Sequence, residues 1–485
     1  MSLTDAPPAV RDRGGLPPAP PAPPPLDDLV TFADPGPAPR SRARQLADDW
    51  PHTRRPLPWL IAAFIVMLWT IPFNTIKLRV SFPIDLQLDR IMLPLLVGSW
   101  LVAVVSGGAK GPRLKLTAPH YAFLTFVLIC AASIIVNEHT LNQTREFDDA
   151  LKQLSIIFSY AAFFLMITSI VRPTEVRAFL KLTFALAVVA ALGTLWEYNA
   201  NYNVFYDLSS KLFVPKLFVS QSPGQLGAVD EIGRRLTRGP AQHGLELTSM
   251  LAMALPLAII GLTETRDRWA KIGYALAATL FLAAAIATFR KTSIIAPVTA
   301  IAVLAVFRPR RLVRLAPLFL VILALVHVLS PGAFGSVLVQ FQGSRLNSVS
   351  TVSDRTADYD AVRPDVFLHP IIGRGYGAYS EARYRILDNE LLGYLVSIGV
   401  LGLLAYLAVM VCTVAVARRW VRSRDPAVAT PHLAAAAAAV VFIVVSQLFD
   451  SMAFPHAPYV FLSIAGLAAA STWGKRPAEH PELLT

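Results

Sequence analysis

The hexapeptide Thr288-Phe289-Arg290-Lys291-Thr292-Ser293 places two adjacent cations between two strongly apolar runs, residues 269 to 288 and 293 to 307. Side chains of this kind bind anions: a guanidinium offers phosphate a planar, two-point contact, and an ammonium adds a compact point charge. Other residues able to do chemistry stand in two long connections. The first, from Tyr198 to Gln242, carries Arg238 and leads to His243 and Glu246, three residues apart and so on one face of a helix. The second, from Pro331 to Asp388, holds six basic and six acidic residues, with Arg355 and His369 among its polar groups, and Asn389 follows it. Such a balance fits a folded cap with internal ion pairs, with amphipathic helices expected over 355–368 and 376–387. Gly373, Gly375 and Gly377 lack the strand and crossover unit of a dinucleotide site and are expected to serve tight turns. No His, Cys and carboxylate spacing points to zinc.

Composition determines which elements can hold these residues. Of 485 residues, 54% are apolar and only 16% charged, and apolar stretches of membrane length recur along the chain. The expected fold is an all-α polytopic membrane protein, because in lipid a helix satisfies its own backbone. Twelve spans are expected, near 58–73, 90–106, 118–136, 153–171, 178–197, 243–262, 269–288, 293–307, 312–330, 390–416, 431–449 and 456–473. Cys130 and Cys412 both fall inside apolar runs and read as small buried hydrophobes. Residues 1–56 are rich in proline and poor in large apolar side chains, so a disordered cytoplasmic tail is expected, with a possible partner for its polyproline stretch. The membrane domain spans 57–473, including a cap loop at 331–389, and 474–485 form a second tail.

Lys and Arg collect in cytoplasmic loops. Arg113 and Lys115, Arg172 and Arg177, Arg266 and Arg268, Arg308 to Arg314, and Arg418 to Arg424 all fall in alternate connections on the side of the Arg-rich N-terminal tail. Both termini are therefore expected inside, and the net charge of +12 reports orientation and implies no nucleic-acid partner. The Arg290-Lys291 turn then lies outside, against the charge bias. Two readings follow: the cations snorkel to headgroups, or they meet an anionic ligand at the outer surface. Ionisable groups in the spans are sparse; Glu197, Glu246, His327 and Asp450 all stand near outer ends. Chemistry at the outer surface is thus favoured over transport through the midplane.

Four pieces in order, "RLTRGPAQHGLELTSMLAMALPLAI", "ATFRKTSIIAPV", "RPDVFLHPIIGRGYGAY" and "DNELLGYLVSIGVLGLLAYL", resemble the O-antigen ligase and O-antigen polymerase superfamily of bacterial membrane glycosyltransferases. The resemblance implies transfer of a glycan from undecaprenyl pyrophosphate to an acceptor, at the outer face of the plasma membrane, with neither nucleotide sugar nor metal as cofactor. Arg290, Lys291, Arg238 and Arg355 are the expected ligands of the pyrophosphate, with His243 and His369 further candidates for substrate contact. Where family ligases usually place a histidine, directly before the Asn of "N-x-x-L", this chain has Asp388 before Asn389. Asp388 is the expected base, Asn389 the residue that orients a partner, and an N-cap is the competing role for Asp388. A flippase, or a non-catalytic scaffold for envelope assembly, are the other classes open to a chain of this kind.

Overall fold

The structure, a computed structural model, describes residues 49–73, 76–78, 87–107, 112–212, 218–220, 236–329, 350–379, 384 and 387–473. A helix stands on every apolar run. In chain order they are α1 (Pro56–Thr70), α2 (Leu88–Ser106), α3 (Ala118–Val136), the short α4 (Glu138–Gln143), α5 (Phe147–Ile170), α6 (Val176–Ala200) and the short α7 (Val204–Leu212). After the first long connection come α8 (Gly244–Glu264), α9 (Arg268–Ile286), α10 (Thr292–Phe307) and α11 (Pro309–Leu329). The second holds α12 (Ser350–Leu368), followed by α13 (Glu390–Ser397), α14 (Gly399–Trp420), α15 (Pro426–Ser446) and α16 (His456–Ser471). Among the described residues eight helices, α2, α3, α5, α6, α8, α9, α14 and α15, are long and apolar enough to cross a membrane. α1, α10 and α16 are apolar but shorter. The all-α expectation needs one addition, a two-stranded antiparallel ribbon that pairs Ile76–Leu78 with Phe218–Ser220.

α8 is the central helix. Its apolar window is 89% buried against 22% for α2, whose side chains are left for lipid. It packs on α6, α9, α10, α15 and α16, while α14 packs on α3 and α15. Between helices in lipid, close approach of backbones takes the place of the hydrophobic effect, and small side chains permit it. The buried run Ala434–Ala439 of α15 serves this purpose. Two histidines inside spans escape the sequence reading and are structural. His120 contacts Thr117 and Thr168 through its two ring nitrogens, at 2.7 and 3.0 Å, and stacks on Phe164. His432 Nδ1 faces the Val428 carbonyl at 2.9 Å.

The tenth apolar run, expected as one span from 390 to 416, is broken into α13 and α14. Gly399 at φ +67° makes the break, and a Cβ there would stand 2.4 Å from the Ile371 carbonyl. The glycine-bearing strap 370–375 covers the freed backbone groups: Val400 N donates to Pro370 O, Gly375 N to Ser397 O, and Arg374 N to Val396 O, all at 2.9–3.0 Å. Gly373, at φ +72°, passes so close that a Cβ would stand 2.4 Å from Ile398 N. The helix expected over 355–368 is present within α12. The one expected over 376–387 is absent from its described start, because Gly377 and Tyr379 both take positive φ, +82° and +73°. Residues 380–383 and 385–386 lie outside the described residues.

The predicted N-terminal tail enters the described structure only at its end. From Asp49 onward the chain docks on α6: the Trp50 ring stacks on Phe179 at 4.6 Å, and Trp50 N donates to Glu175 Oε1 at 2.9 Å. Arg55 pairs with the same buried carboxylate, and Asp49 with Arg172 at 3.2 Å. Residues 1–48, with the polyproline stretch, lie outside the described residues.

Candidate active site

The α9–α10 turn presents Arg290. Thr237 Oγ1 donates to Ala287 O at 2.8 Å, Thr288 Oγ1 donates to Ala285 O at 2.7 Å, and the Thr248 and Thr288 hydroxyls meet at 3.1 Å. Phe289 takes φ +55° and is 6% exposed, its ring 5.8 Å from that of Tyr198. A non-glycine residue in that region is held there against its preference, a recurrent property of functional turns. With Phe289 anchored inward, the next residue, Arg290, reaches His243, its Nη2 lying 3.3 Å from Nε2.

His243 is the N-cap of α8, immediately outside the helix, and its Nδ1 lies 3.2 Å from Leu245 N. A neutral imidazole has one acceptor nitrogen, here Nδ1, which takes the Leu245 amide, so Arg290 lies against the Nε2 edge as a packing contact. Burial pushes its pKa down to about 4, and the nearby Arg290 and Arg238 push in the same direction. At neutral pH the imidazole is uncharged and serves as a rest for Arg290.

Arg238 is 8% exposed and sits in a loop gripped from three sides. Glu197 Oε2 accepts the amides of Arg238 and Gly239 at 3.1 and 2.8 Å. Asn203 Nδ2 donates to Gly239 O at 2.9 Å, and Tyr206, whose hydroxyl donates to Ala241 O at 3.3 Å, also contacts the Arg238 side chain. Gly239 takes φ +55°, and a Cβ would stand 2.4 Å from Thr194 Oγ1. Burial raises the Tyr206 hydroxyl to about 12 although Arg238 pulls it down, so Tyr206 meets the arginine as a neutral phenol.

His243 and Glu246, expected on one face, diverge. Glu246 Oε2 accepts Gln242 N at 2.7 Å, and Oε1 accepts His456 N and Nδ1 at 2.8 and 2.9 Å. The other His456 nitrogen faces Ile71 O at 3.0 Å, and Phe73 stacks on the ring at 4.0 Å. The His456 ring thus bridges Glu246 and the Ile71 carbonyl and ties α1, α8 and α16 together.

A second polar group lies across the 447–455 loop. A cavity of about 540 Å³ is lined by Asp149, Lys152, Tyr376, Asn389, Glu390 and Asp450 together with apolar neighbours. Glu390 Oε2 accepts Met452 N at 2.9 Å, and the Asp450 carboxyl stands beside it. On the other flank of the same loop, the Phe454 ring lies tilted beside His243, with ring centroids 5.8 Å apart. The arginine cluster and the cavity therefore share one end of the bundle. The sequence reading passes over Glu390, Asp149, Lys152 and Tyr376. An acid in the first turn of a buried apolar run was the available signal for Glu390; the other three are assembled only by the fold.

The remaining expected site residues are placed as follows. Asn389 is the N-cap of α13, its Oδ1 accepting Leu391 N and Leu392 N at 3.0 and 3.3 Å, which corrects the capping alternative for Asp388. Asp388 is exposed beside the cavity, between the lining residues Leu387 and Asn389. Lys291 is half-buried at the start of α10. His369 is exposed in the turn after α12. The Arg355 side chain lies outside the described residues. Among the described residues no three His, Cys, Asp or Glu side chains are grouped to hold a metal ion.

A bundle of apolar helices with a buried and a half-buried arginine and a polar cavity at one end is the architecture of a multi-pass membrane protein. Residues 276–407 match the family model described as O-antigen ligase, so the resemblance to the O-antigen ligase superfamily holds over the segment that carries Arg290, Lys291, His369, Asp388 and Asn389. The match supports glycan transfer of the ligase or polymerase kind in bacterial polysaccharide assembly. No curated protein matches the chain.

Proposed function

We propose that the protein transfers a glycan from an undecaprenyl-pyrophosphate carrier to an acceptor at the outer face of the bacterial plasma membrane, from a twelve-span domain with both termini in the cytoplasm. The observation that carries this reading is the convergence of Arg290 and Arg238 on neutral His243. A pyrophosphate leaves with growing negative charge, and fixed cations stabilise that charge more as it develops. Arg290 and Arg238 hold the departing phosphates with Lys291 and Arg355, and His243 keeps the Arg290 fork in place without adding charge of its own. The acceptor occupies the adjoining cavity, within the range of small-ligand sites. Asp388 takes the acceptor hydroxyl's proton as oxygen attacks the anomeric carbon and the carbon–phosphate oxygen bond breaks. Asn389 sets the start of α13 beside it, and His369 faces the acceptor side. Deletion of the gene, followed by analysis of lipid-linked intermediates, tests the reading. A ligase defect leaves finished polymer on the carrier, a polymerase defect leaves single repeats, and unchanged intermediates overturn glycan transfer.

A further inference from the structure

At the opposite end of the bundle a second cavity, about 650 Å³, opens between the last turns of α14 and its neighbours. Its walls divide by chemistry. Val411, Val414 and Ile443 form an apolar shaft, and Arg418, Arg419 and Arg422 line the cavity with them; no acidic side chain lines it among the described residues. Between Arg419 and Val411 the helical rise gives the shaft a length of about 12 Å. Arg308 fixes one edge by donating from Nη2 to Val421 O at 2.6 Å. Asp425, the nearest acid along the chain, caps its own helix by accepting Ala427 N at 2.9 Å.

We propose that this cavity binds an anionic phospholipid, with the headgroup phosphate on the arginines and one acyl chain in the shaft. An orientation signal needs only exposed positive charge on a connection. It does not need a shaft of apolar side chains, open along its exposed Val411 side, running up from that charge along α14. The negative end of the α14 dipole, roughly half a charge, opposes an anion there but is outweighed by three guanidinium groups. Basic pockets between membrane helices are known to take acidic headgroups for this reason. The inference concerns the other end of the molecule from the proposed active site and stands independently of it.

The test is native mass spectrometry of the full-length protein in neutral detergent, titrated with phosphatidylglycerol or with phosphatidylcholine of the same chains. Phosphatidylglycerol is expected to bind at least tenfold more tightly. Arg422→Gln should weaken it about fivefold, as the loss of one surface arginine does at anionic membranes. Val414→Trp, which fills the shaft and leaves the charge unchanged, should weaken both lipids and remains informative if the arginine variant fails to fold. Equal binding of the two lipids, or unchanged binding in Val414→Trp, overturns the proposal. So does inorganic phosphate that displaces phosphatidylglycerol at equal concentration, because the shaft would then contribute nothing.

Discussion

Arg290 Nη2 lies 3.3 Å from Nε2 of His243, a cation resting on an uncharged ring at the start of the central helix. The contact gives the guanidinium one direction from which its other donors project. Arg290→Ala should lower glycan transfer about a hundredfold, the loss of one charge-assisted contact in a transition state, with the fold retained. Arg290→Lys should recover little, because an ammonium cannot span two phosphate oxygens. The measurement is turnover of a lipid-linked donor in membranes, normalised to folded protein. An alanine variant of full activity would return Arg290 to a snorkelling role.

The same pair fixes a pH dependence. The pKa of His243 is depressed to about 4 in the fold, against about 6.5 in an unfolded chain. Below pH 6.5 the unfolded state takes up a proton that the folded state refuses. Stability from this group is therefore complete above pH 6.5 and falls as the pH drops toward 4, by at most about 3 kcal/mol. Thermal unfolding of the detergent-purified protein should show a midpoint that declines across this window. His243→Gln, which cannot titrate, should make that decline shallower.

The helices were legible because lipid forces one solution on an apolar run. The boundaries of α3, α8 and α9 stand within a few residues of those expected. The break between α13 and α14 was hidden because hydropathy continues through it, and only the strap at 370–375, folded back on Gly399, makes it possible. Arg290 and Lys291 stand out in the sequence because they interrupt two apolar runs. The carboxyl pair does not, since Glu390 and Asp450 come from segments sixty residues apart and meet only through the 447–455 loop. Asp388 and Asn389 are adjacent, and composition alone does not say which of them caps.

Orientation can be tested apart from chemistry. In a Cys412→Ala background, a cysteine at exposed Ala361 of α12 should react with an impermeant thiol reagent added to intact cells. One at exposed Ala427, at the start of α15, should react only after the membrane is opened. The reverse pattern would move the arginine cluster to the cytoplasmic side.

Gly393 offers a direct probe of the cavity. It lines the cavity from α13, and a Cβ added there meets nothing within 4 Å. Gly393→Ala should leave the backbone undisturbed and stabilise the helix by up to about 1 kcal/mol. Gly393→Phe should fill the cavity and abolish transfer to acceptor while donor binding persists. Normal transfer by the phenylalanine variant would place the acceptor elsewhere.

Asp388 carries the sharpest test, because the structure separates it from the role that competed with catalysis. Asn389, and not Asp388, accepts the first amides of α13. Asn389→Ala should therefore cost about 1 kcal/mol of stability as a lost cap. Asp388→Asn preserves shape and removes only the carboxylate. If the carboxylate takes the acceptor's proton, this variant should lose between about a hundredfold and ten-thousandfold in transfer. Its unfolding midpoint should stay close to that of the parent. Asp388→His should return part of the activity, with a rate that rises as the imidazole loses its proton. The measurement is transfer in membranes supplied with a lipid-linked donor, followed over pH. Activity equal to the parent in Asp388→Asn would exclude the carboxylate as base and move the search to Glu390 and Asp450 inside the cavity, since burial and the neighbouring Arg290 and Arg238 hold His243 near a pKa of 4 and make it a poor proton acceptor.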